Sequence, residues 1–364
     1  MYLARKLVAK GHTVYLVGAS FTHQFDTPVL IADTYDMRTE HGVRVSVPAY
    51  KGSSARGRVG NWMRFAYHVS RLDRFIKDAP DAIMSSSPSL LANLGARCLV
   101  SKFKCRHAFE VRDIWPLTLI EVGGYSPKHT FNRLLQRVED SAYQTADQIV
   151  SNLPNISDHI AARGTVPDKF TWIPKGYSQK DLSASDPVDL DVVAQLPKAE
   201  LTIEYTGSHG IVNELSNLLN AAKLLKDQTN IAFFLVEKGA EKVALKRFAV
   251  DNNLQNVAFI DPIPKSQIPD LIARLDACYI GLTPDPLFRF GVSPNKLFDH
   301  FIAAKPILYA IDSGDYHPVT TAQAGFEFPP ANPQALADAI LQLQATPEED
   351  KLKSVQSGRA YVEN

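Results

Sequence analysis

Two short runs in this chain carry residue types that can do chemistry. The first is Glu110-Val111-Arg112-Asp113-Ile114-Trp115-Pro116, which ends an apolar stretch. Charges at the end of a strand lie at the carboxyl edge of the sheet, where ligands bind in open α/β folds. An Arg112–Asp113 or Arg112–Glu110 ion pair that locks a loop fits the same residues. If the strand continues, Glu110 and Arg112 share one side of it, with Asp113 where the loop begins. The second run is Gly291 to Pro306, GVSPNKLFDHFIAAKP. Ser293 suits an N-cap and Pro294 the first helical position, which places a helix start there. Free N–H groups and the positive dipole end make such a terminus a natural diphosphate site. At about 100° per residue, Asn295, Lys296 and Asp299 share one arc. Leu297, Phe298, Phe301 and Ile302 share the other and would pack inward. Lys296 can neutralise a phosphate, and Asp299, a turn deeper, can accept bonds from ribose hydroxyls. A capped amphipathic surface helix fits the pattern as well.

Lesser signals sit on neighbouring turns. Tyr205-Thr206-Gly207-Ser208-His209-Gly210 follows a strand and precedes a helix, so its amides can approach phosphate. Lys242, after a strand end and turn, either meets the same ligand or caps its local helix. Asp261-Pro262-Ile263-Pro264 reads as a rigid turn or as part of a base pocket. Ser85-Ser86-Ser87-Pro88-Ser89 puts small hydroxyls at a helix start, suiting a phosphate or plain N-capping. Residues 51–77 interleave Lys51, Arg56, Arg58, Arg64, Arg71, Arg74 and Lys77 with Trp62, Phe65, Tyr67 and Phe75. Such a helix either lies on an anionic membrane or packs its apolar stripe in the core.

The hydrophobic pattern supplies the scaffold these residues need. Met1–Lys10 reads as a helix that Gly11-His12 ends. Strands are expected at 13–18, 43–47, 82–84, 108–111, 148–151 and 170–173, with helices at 59–77, 89–100, 129–146 and 155–163. Turn residues over 178–198 mark a linker. A second series has strands at 201–205, 231–236, 257–260, 277–281 and 306–310. Its helices fall at 212–226, 241–252, 265–275, 294–303 and 333–344. The expected fold is α/β: two Rossmann-like, doubly wound parallel-sheet domains facing across a cleft, over 1–177 and 199–364.

The 364 residues suffice for two such domains. Hydrophobic residues at 45% and charged residues at 21% are ordinary for a soluble protein with real cores. Lys plus Arg and Asp plus Glu both total 39, and the missing basic surplus weighs against a dedicated nucleic-acid binder. Cys98, Cys105 and Cys278 show no C-x-x-C spacing and no His cluster beside them, which argues against a zinc site. Their sparse, odd count suits a reducing cytoplasm. No apolar stretch approaches the roughly 20 residues that span a bilayer, and no signal-peptide pattern opens the chain.

The Gly291–Pro306 run resembles the donor-site motif of retaining family 4 glycosyltransferases, in the GT-B branch that builds bacterial O-antigen and capsule polysaccharides. By this resemblance Asp299 matches the second acidic residue of a two-glutamate motif and holds the nucleotide ribose. The first acidic residue, eight positions earlier, falls on Gly291. The run from Arg112 to Pro116 is similar to the arginine-aspartate-aliphatic-tryptophan-proline motif of the same branch. The resemblance therefore implies that Asp113, with Glu110 and Arg112, serves the acceptor. It gives the donor to Asp299, Lys296, Asn295, Ser293, Arg289, Gly207, Ser208 and Lys242. Relatives often carry a basic pair after the glycine turn; Ile211-Val212-Asn213-Glu214 supplies none here, which leaves Lys296 and Arg289 to meet the diphosphate.

The implied activity is sugar transfer from a nucleotide-diphosphate donor, UDP-linked, to a glycan or polyprenyl-diphosphate-linked acceptor. It implies retention, no metal and no cofactor, in the cytoplasm with peripheral contact to the inner membrane face. A nucleotide-sugar epimerase of the same fold is the alternative from another class. An inactive GT-B-like binding subunit is a third, favoured by Gly291 and by Lys175 where relatives carry asparagine. Relatives also begin with a strand ahead of the first helix and end with a helix returning to the first domain. The resemblance thus implies a chain trimmed at both ends.

Overall fold

The computed structural model describes residues 2–22, 29, 33–39, 42–50, 55–76, 78–87, 89–176 and 185–363. The chain divides into two compact units, Met1–Pro174 and Lys175–Asn364.

Strands of the first unit lie in two sheets. β1 (Leu16–Ala19), β2 (Tyr35–Thr39) and β3 (Gly42–Val45) form one, in the order β1-β3-β2. β4 (Ala82–Ser86), β5 (Arg106–Val111), β6 (Gln148–Ser151) and β7 (Phe170–Trp172) form the other, parallel throughout and in chain order. The sequence pattern had not signalled β2. Two residues separate it from β3, too few for a crossover, so this pair is antiparallel. Helices α1 (Tyr2–Ala9), α2 (Ala55–Val69), α3 (Leu90–Phe103), α4 (Leu117–Glu121), α5 (Thr130–Thr145) and α6 (Ser157–Ala162) fill the connections. The expected helix over 59–77 stops at Val69, and a tight turn at Leu72–Arg74 follows. On α5, Leu135, Val138 and Ala142 recur at helical spacing and are all buried.

The second unit holds one six-stranded parallel sheet. Its strands are β8 (Leu201–Thr206), β9 (Ile231–Val236), β10 (Val257–Ile260), β11 (Ala277–Gly281), β12 (Ile307–Ala310) and β13 (Gly325–Glu327). Their spatial order is β10-β9-β8-β11-β12-β13, so the unit winds outward from β8 in both directions. Every residue of β8, β9, β11 and β12 is buried, which is why these strands read as continuous apolar runs rather than alternations. The helices are α7 (Leu190–Val193), α8 (Leu215–Leu224), α9 (Lys242–Asp251), α10 (Ile268–Ala273), α11 (Asn295–Ile302), α12 (Pro318–Thr321), α13 (Pro333–Ala345) and α14 (Glu348–Glu363).

Both faces of that sheet are covered. Leu215, Leu218, Leu219 and Ala222 of α8 meet Leu336, Ile340 and Leu343 of α13 over one face. Leu297, Phe298 and Phe301 of α11 cover another part of the sheet, where Tyr361 of α14 packs 5.6 Å from Phe301. The stretch expected as a linker is only partly one. Residues 177–184 lie outside the described residues, but Val188 is buried among Phe234, Val236, Ile260 and Leu271. Among the described residues no helix is long and apolar enough to cross a membrane.

Helix α3 crosses α2 at Gly95, where a Cβ would stand 2.3 Å from the Ala66 carbonyl oxygen. Gly95→Ala is expected to destabilise the first unit by about 1–3 kcal/mol through overpacking. Gly60→Ala is its control, since nothing lies within 4 Å of a Cβ at that exposed helical position. That change is expected to be neutral or stabilising by about 0.5–1 kcal/mol. Urea unfolding of both variants, followed by circular dichroism, checks the pair.

Candidate functional site

In an open parallel sheet that winds both ways from one strand, ligands bind beyond the carboxyl ends where the strand order reverses. Here that point lies between β8 and β11. These two strands pair only at Ala277↔Ile203 and Cys278↔Glu204, so their carboxyl ends part beyond Glu204. The turn after β8 and the start of α11 meet at this opening. Lys296 Nζ stands 3.8 Å from the centroid of the Tyr205 ring. A Cβ on Gly207 would lie 2.6 Å from the same Nζ, and the Gly207 φ of 150° is one that side-chain-bearing residues avoid. Gly207 thus clears the space that Lys296 occupies.

The start of α11 differs from the sequence expectation by one residue. Pro294, with ψ 139°, is the N-cap and Asn295 the first helical residue. Ser293 therefore falls outside the cap position; its Oγ is buried and has no hydrogen-bond partner among the described residues. The extended ψ of Pro294 itself, outside the helical region, moves the cap one residue along the chain. The arc assignment holds: Leu297, Phe298, Phe301 and Ile302 are buried, while Asn295 and Asp299 are exposed and Lys296 is mostly buried. The mass of protein around Asp299 raises its carboxyl pKa, and the charges of His300 and Lys265 oppose that rise.

Other donor candidates separate into placed and committed groups. Ser208 is exposed on the turn, and its carbonyl accepts bonds from Tyr205 Oη and Asn213 Nδ2, both 2.9 Å. Lys242 is spent locally: its Nζ donates to the carbonyls of Glu237 and Ile260 at 2.9 and 2.7 Å and to Asp261 Oδ1 at 2.9 Å. It ties the ends of β9 and β10 together rather than pointing at α11. Arg289 is exposed, donates to the Pro286 carbonyl and stacks 4.3 Å over Phe290. Gly291 has φ 81°, so the position where relatives carry an acidic residue here takes a backbone form suited to glycine.

Three buried groups lie close together beside Lys296, from positions the sequence had not linked. Glu204 and His300 are fully buried, with His300 Nε2 2.8 Å from Glu204 Oε1. Cys278, on the strand next to Glu204, completes a trio whose polar atoms all lie within 4.8 Å of one another. The sequence shows no His cluster beside its cysteines; in space β8, β11 and α11 bring one histidine to Cys278 from far along the chain. Burial and the neighbouring Glu204 charge push the Cys278 thiol well up, so it stays protonated beside the carboxylate. The Glu204 carboxyl moves down: burial opposes ionisation, and His300, Cys278 and Lys296 outweigh it.

In the first unit, β5 ends at Val111, so Glu110 and Arg112 do not share a strand face as expected. Ser87 holds the turn that follows. Its Oγ accepts the N–H groups of Arg112 at 2.9 Å and Asp113 at 3.2 Å and donates to the Asp113 carbonyl at 3.1 Å. Ser86 Oγ donates to Glu110 Oε2, and Ser85 Oγ lies 3.0 Å from His107 Nε2. Ser89 sits at the N-cap of α3 without a side-chain cap bond, and Pro88 lies outside the described residues. The serines thus brace the Glu110–Asp113 segment, a role that their helix-start position had hidden. Arg112 and Asp113 are exposed, and Trp115 packs edge-on against Trp62 of α2 at 5.5 Å.

His209, in the glycine turn, is fully buried, and neither ring nitrogen has a hydrogen-bond partner among the described residues. Burial, then the charges of Lys242, Lys296 and Lys246, push its pKa down to about 4. The unfolded chain binds this proton near the ordinary value of 6.5, so stability is lost as pH falls from about 6.5 to about 4. The loss attributable to His209 is up to about 3 kcal/mol. His209→Asn is expected to flatten the pH dependence of urea unfolding in that window. Parallel profiles for variant and parent would refute the assignment.

Residues 1–176 match the family model described as a glycosyl transferase 4-like domain. The chain is 24% identical over 234 residues to a protein named probable glycosyltransferase WbjE from Pseudomonas aeruginosa, covering 63% of this chain and 58% of that protein. The match thus spans a little over half the length of that curated relative. Among solved structures, sucrose-phosphate synthase from Thermosynechococcus elongatus superposes with a TM-score of 0.72 at 17% identity, over 100% of this chain and 87% of that one. HepE from Anabaena, solved with UDP-glucose, superposes with a TM-score of 0.59 at 15% identity, over 85% of this chain and 79% of that one. The chain therefore has the fold of the GT-B glycosyltransferases, and its first 176 residues match the glycosyl transferase 4-like domain.

Proposed function

We propose that the protein is a glycosyltransferase that moves a sugar from a nucleotide-diphosphate donor, UDP-linked, to a glycan or polyprenyl-diphosphate-linked acceptor in bacterial surface polysaccharide synthesis. The observation that carries this reading is the start of α11 with Lys296 lodged under the Gly207 turn, at the switch point of the second unit. A helix N-terminus and an ammonium aimed at one opening are what a departing diphosphate needs, because both stabilise charge as it develops. They supply that stabilisation without a metal. HepE, of the same fold, was solved with UDP-glucose, which supports the donor class.

In this reading the second unit, with the stretch joined to it, binds the donor. Asn295 and the α11 amides meet the diphosphate, the unpartnered Ser293 Oγ faces the same ligand, and Asp299 accepts from the ribose. Gly291 leaves the sugar without the carboxylate contact of the two-glutamate motif, so backbone amides take over that edge. The first unit binds the acceptor, and Asp113, fixed by Ser87, holds or deprotonates its hydroxyl with Glu110 and Arg112 beside it. Transfer retains anomeric configuration by resemblance to family 4.

Asp299→Ala is expected to weaken UDP binding about tenfold, the worth of one or two hydrogen bonds to a charged acceptor. Asp113→Ala is expected to slow transfer by about 10²–10⁴-fold while UDP affinity stays within twofold. Calorimetry with UDP and a transfer assay with a UDP-sugar panel and polyprenyl-diphosphate-linked acceptors read both. Full activity in both variants would sink the site assignment. Interconversion of the UDP-sugar with no acceptor present would show an epimerase instead.

The enzyme works in the cytoplasm against the inner face of the membrane. Met63 and Tyr67 are exposed on α2, Arg64 is exposed beside them, and Arg71 stacks 4.3 Å over the Tyr67 ring. Arg74 is exposed just beyond; Lys51 and Lys77 lie outside the described residues. This face is expected to carry the protein to the top of a flotation gradient with anionic vesicles, and Arg64→Glu with Arg74→Glu to release it. No recovery of the parent protein with those vesicles would end the docking idea.

A further inference from the structure

Glu204 is a charged residue at the centre of the innermost strand of the second unit, fully buried. A carboxylate in that position is strongly unfavourable unless cations and hydrogen bonds meet it. His300 supplies one contact at 2.8 Å, yet neither carboxylate oxygen has an aligned hydrogen-bond donor among the described residues. The ammonium of Lys296 also acts on it. Lys296 and His300 stand four residues apart on α11, so both side chains leave the same face of the helix toward β8. The reciprocal need is as clear: a mostly buried ammonium resting on the Tyr205 ring, under a glycine turn that has no Cβ, needs an anion beneath it.

We infer that Glu204 and His300 are positioning residues for Lys296: the carboxylate, held by His300, keeps the ammonium charged and seated under the Gly207 turn for the donor diphosphate. The inference rests on the donor-site reading above and assigns the pair a task within it. Burial pulls the Lys296 pKa down to about 8, and the Glu204 charge is what opposes that pull. The other groups around the lysine work the opposite way or are neutral. His209 in the turn is held uncharged by burial first, then by Lys242, Lys296 and Lys246. Tyr205 is held as a neutral phenol by burial. Asp299 belongs to the same helix but is exposed and answers to Lys265 and His300. Glu204 is therefore the anion on which the charge of Lys296 depends.

The sign of the effect follows. Lys296 is cationic below about pH 8, so affinity for a diphosphate falls as pH rises through that value. Removing the Glu204 charge lowers the Lys296 pKa and moves this fall to lower pH.

The test is calorimetric titration of the full chain with UDP between roughly pH 6.5 and 9. The parent protein is expected to lose affinity on the alkaline side near pH 8. In Glu204→Gln the loss begins about one pH unit lower, which leaves affinity about fivefold weaker at pH 8 and little changed near pH 6.5. Glu204→Asp, which restores the charge, brings the profile most of the way back. Lys296→Met, which removes the titrating group, gives weak binding with no alkaline loss; it decides the matter if the Glu204 variants do not fold. An unmoved profile in a folded Glu204→Gln, or an alkaline loss that persists in Lys296→Met, overturns the inference and leaves the donor site standing. A parent protein that fails to bind UDP at any pH overturns the donor reading and the inference together.

Discussion

A carboxylate in the middle of a completely buried strand is the constraint that orders the second unit. Glu204 breaks the apolar run of β8 with a charge that water cannot reach, and everything around it answers that charge. Cys278 comes opposite it by strand register, His300 reaches it from α11, and Lys296 sits beside it. The helix that supplies both of these partners is the one whose N-terminus opens at the switch point. Had β8 carried a leucine here, α11 could pack equally well on its apolar arc, but nothing would fix the height of its first turn against the strand. A buried polar cluster is costly unless its members satisfy one another, and for the same reason it favours one arrangement over its neighbours.

That arrangement exchanges side-chain charge for backbone access at two places. Gly207 adopts a backbone form that leaves room for Lys296, and Gly291 adopts one where relatives carry an acidic side chain. The turn after β8 leads into Ile211-Val212-Asn213, followed by Glu214 at φ 42°, with no basic side chain among them. The ammonium at this opening thus comes from α11 rather than from the helix after the turn. It approaches from within the unit, backed by Glu204, where a surface lysine would approach from solvent.

Much of this frame was legible in the sequence because it rests on local patterns. Continuous apolar runs located β8, β9, β11 and β12, since strands covered on both faces need no alternation. The apolar arc of α11 followed from spacing alone, and Leu297, Phe298, Phe301 and Ile302 are buried as that spacing requires. Two kinds of feature were not legible. Proline rules place Pro294 equally well as cap or first helical residue, and the extended ψ that decides between them is set by the loop ahead of it. The trio of Glu204, Cys278 and His300 has no signature at all, because its members come from separate elements and meet only through sheet register. The one available clue was a lone glutamate inside the apolar run Leu201–Tyr205, a conflict with burial that demanded a partner somewhere.

The first unit shows the same division between local and non-local information. Its serine run was readable as a helix start, yet Ser86 and Ser87 turn to Glu110 and the Arg112–Asp113 amides, while Ser85 lies between Asn93 of α3 and His107. Parallel pairing of β4 with β5 explains this, since it sets Ser86 opposite Glu110 and carries Ser87 to the point where β5 ends. A strand end leaves its next amides without ladder partners, and a hydroxyl from the neighbouring strand end is the nearest acceptor. The backbone of the exposed Asp113 is thereby held where β5 ends.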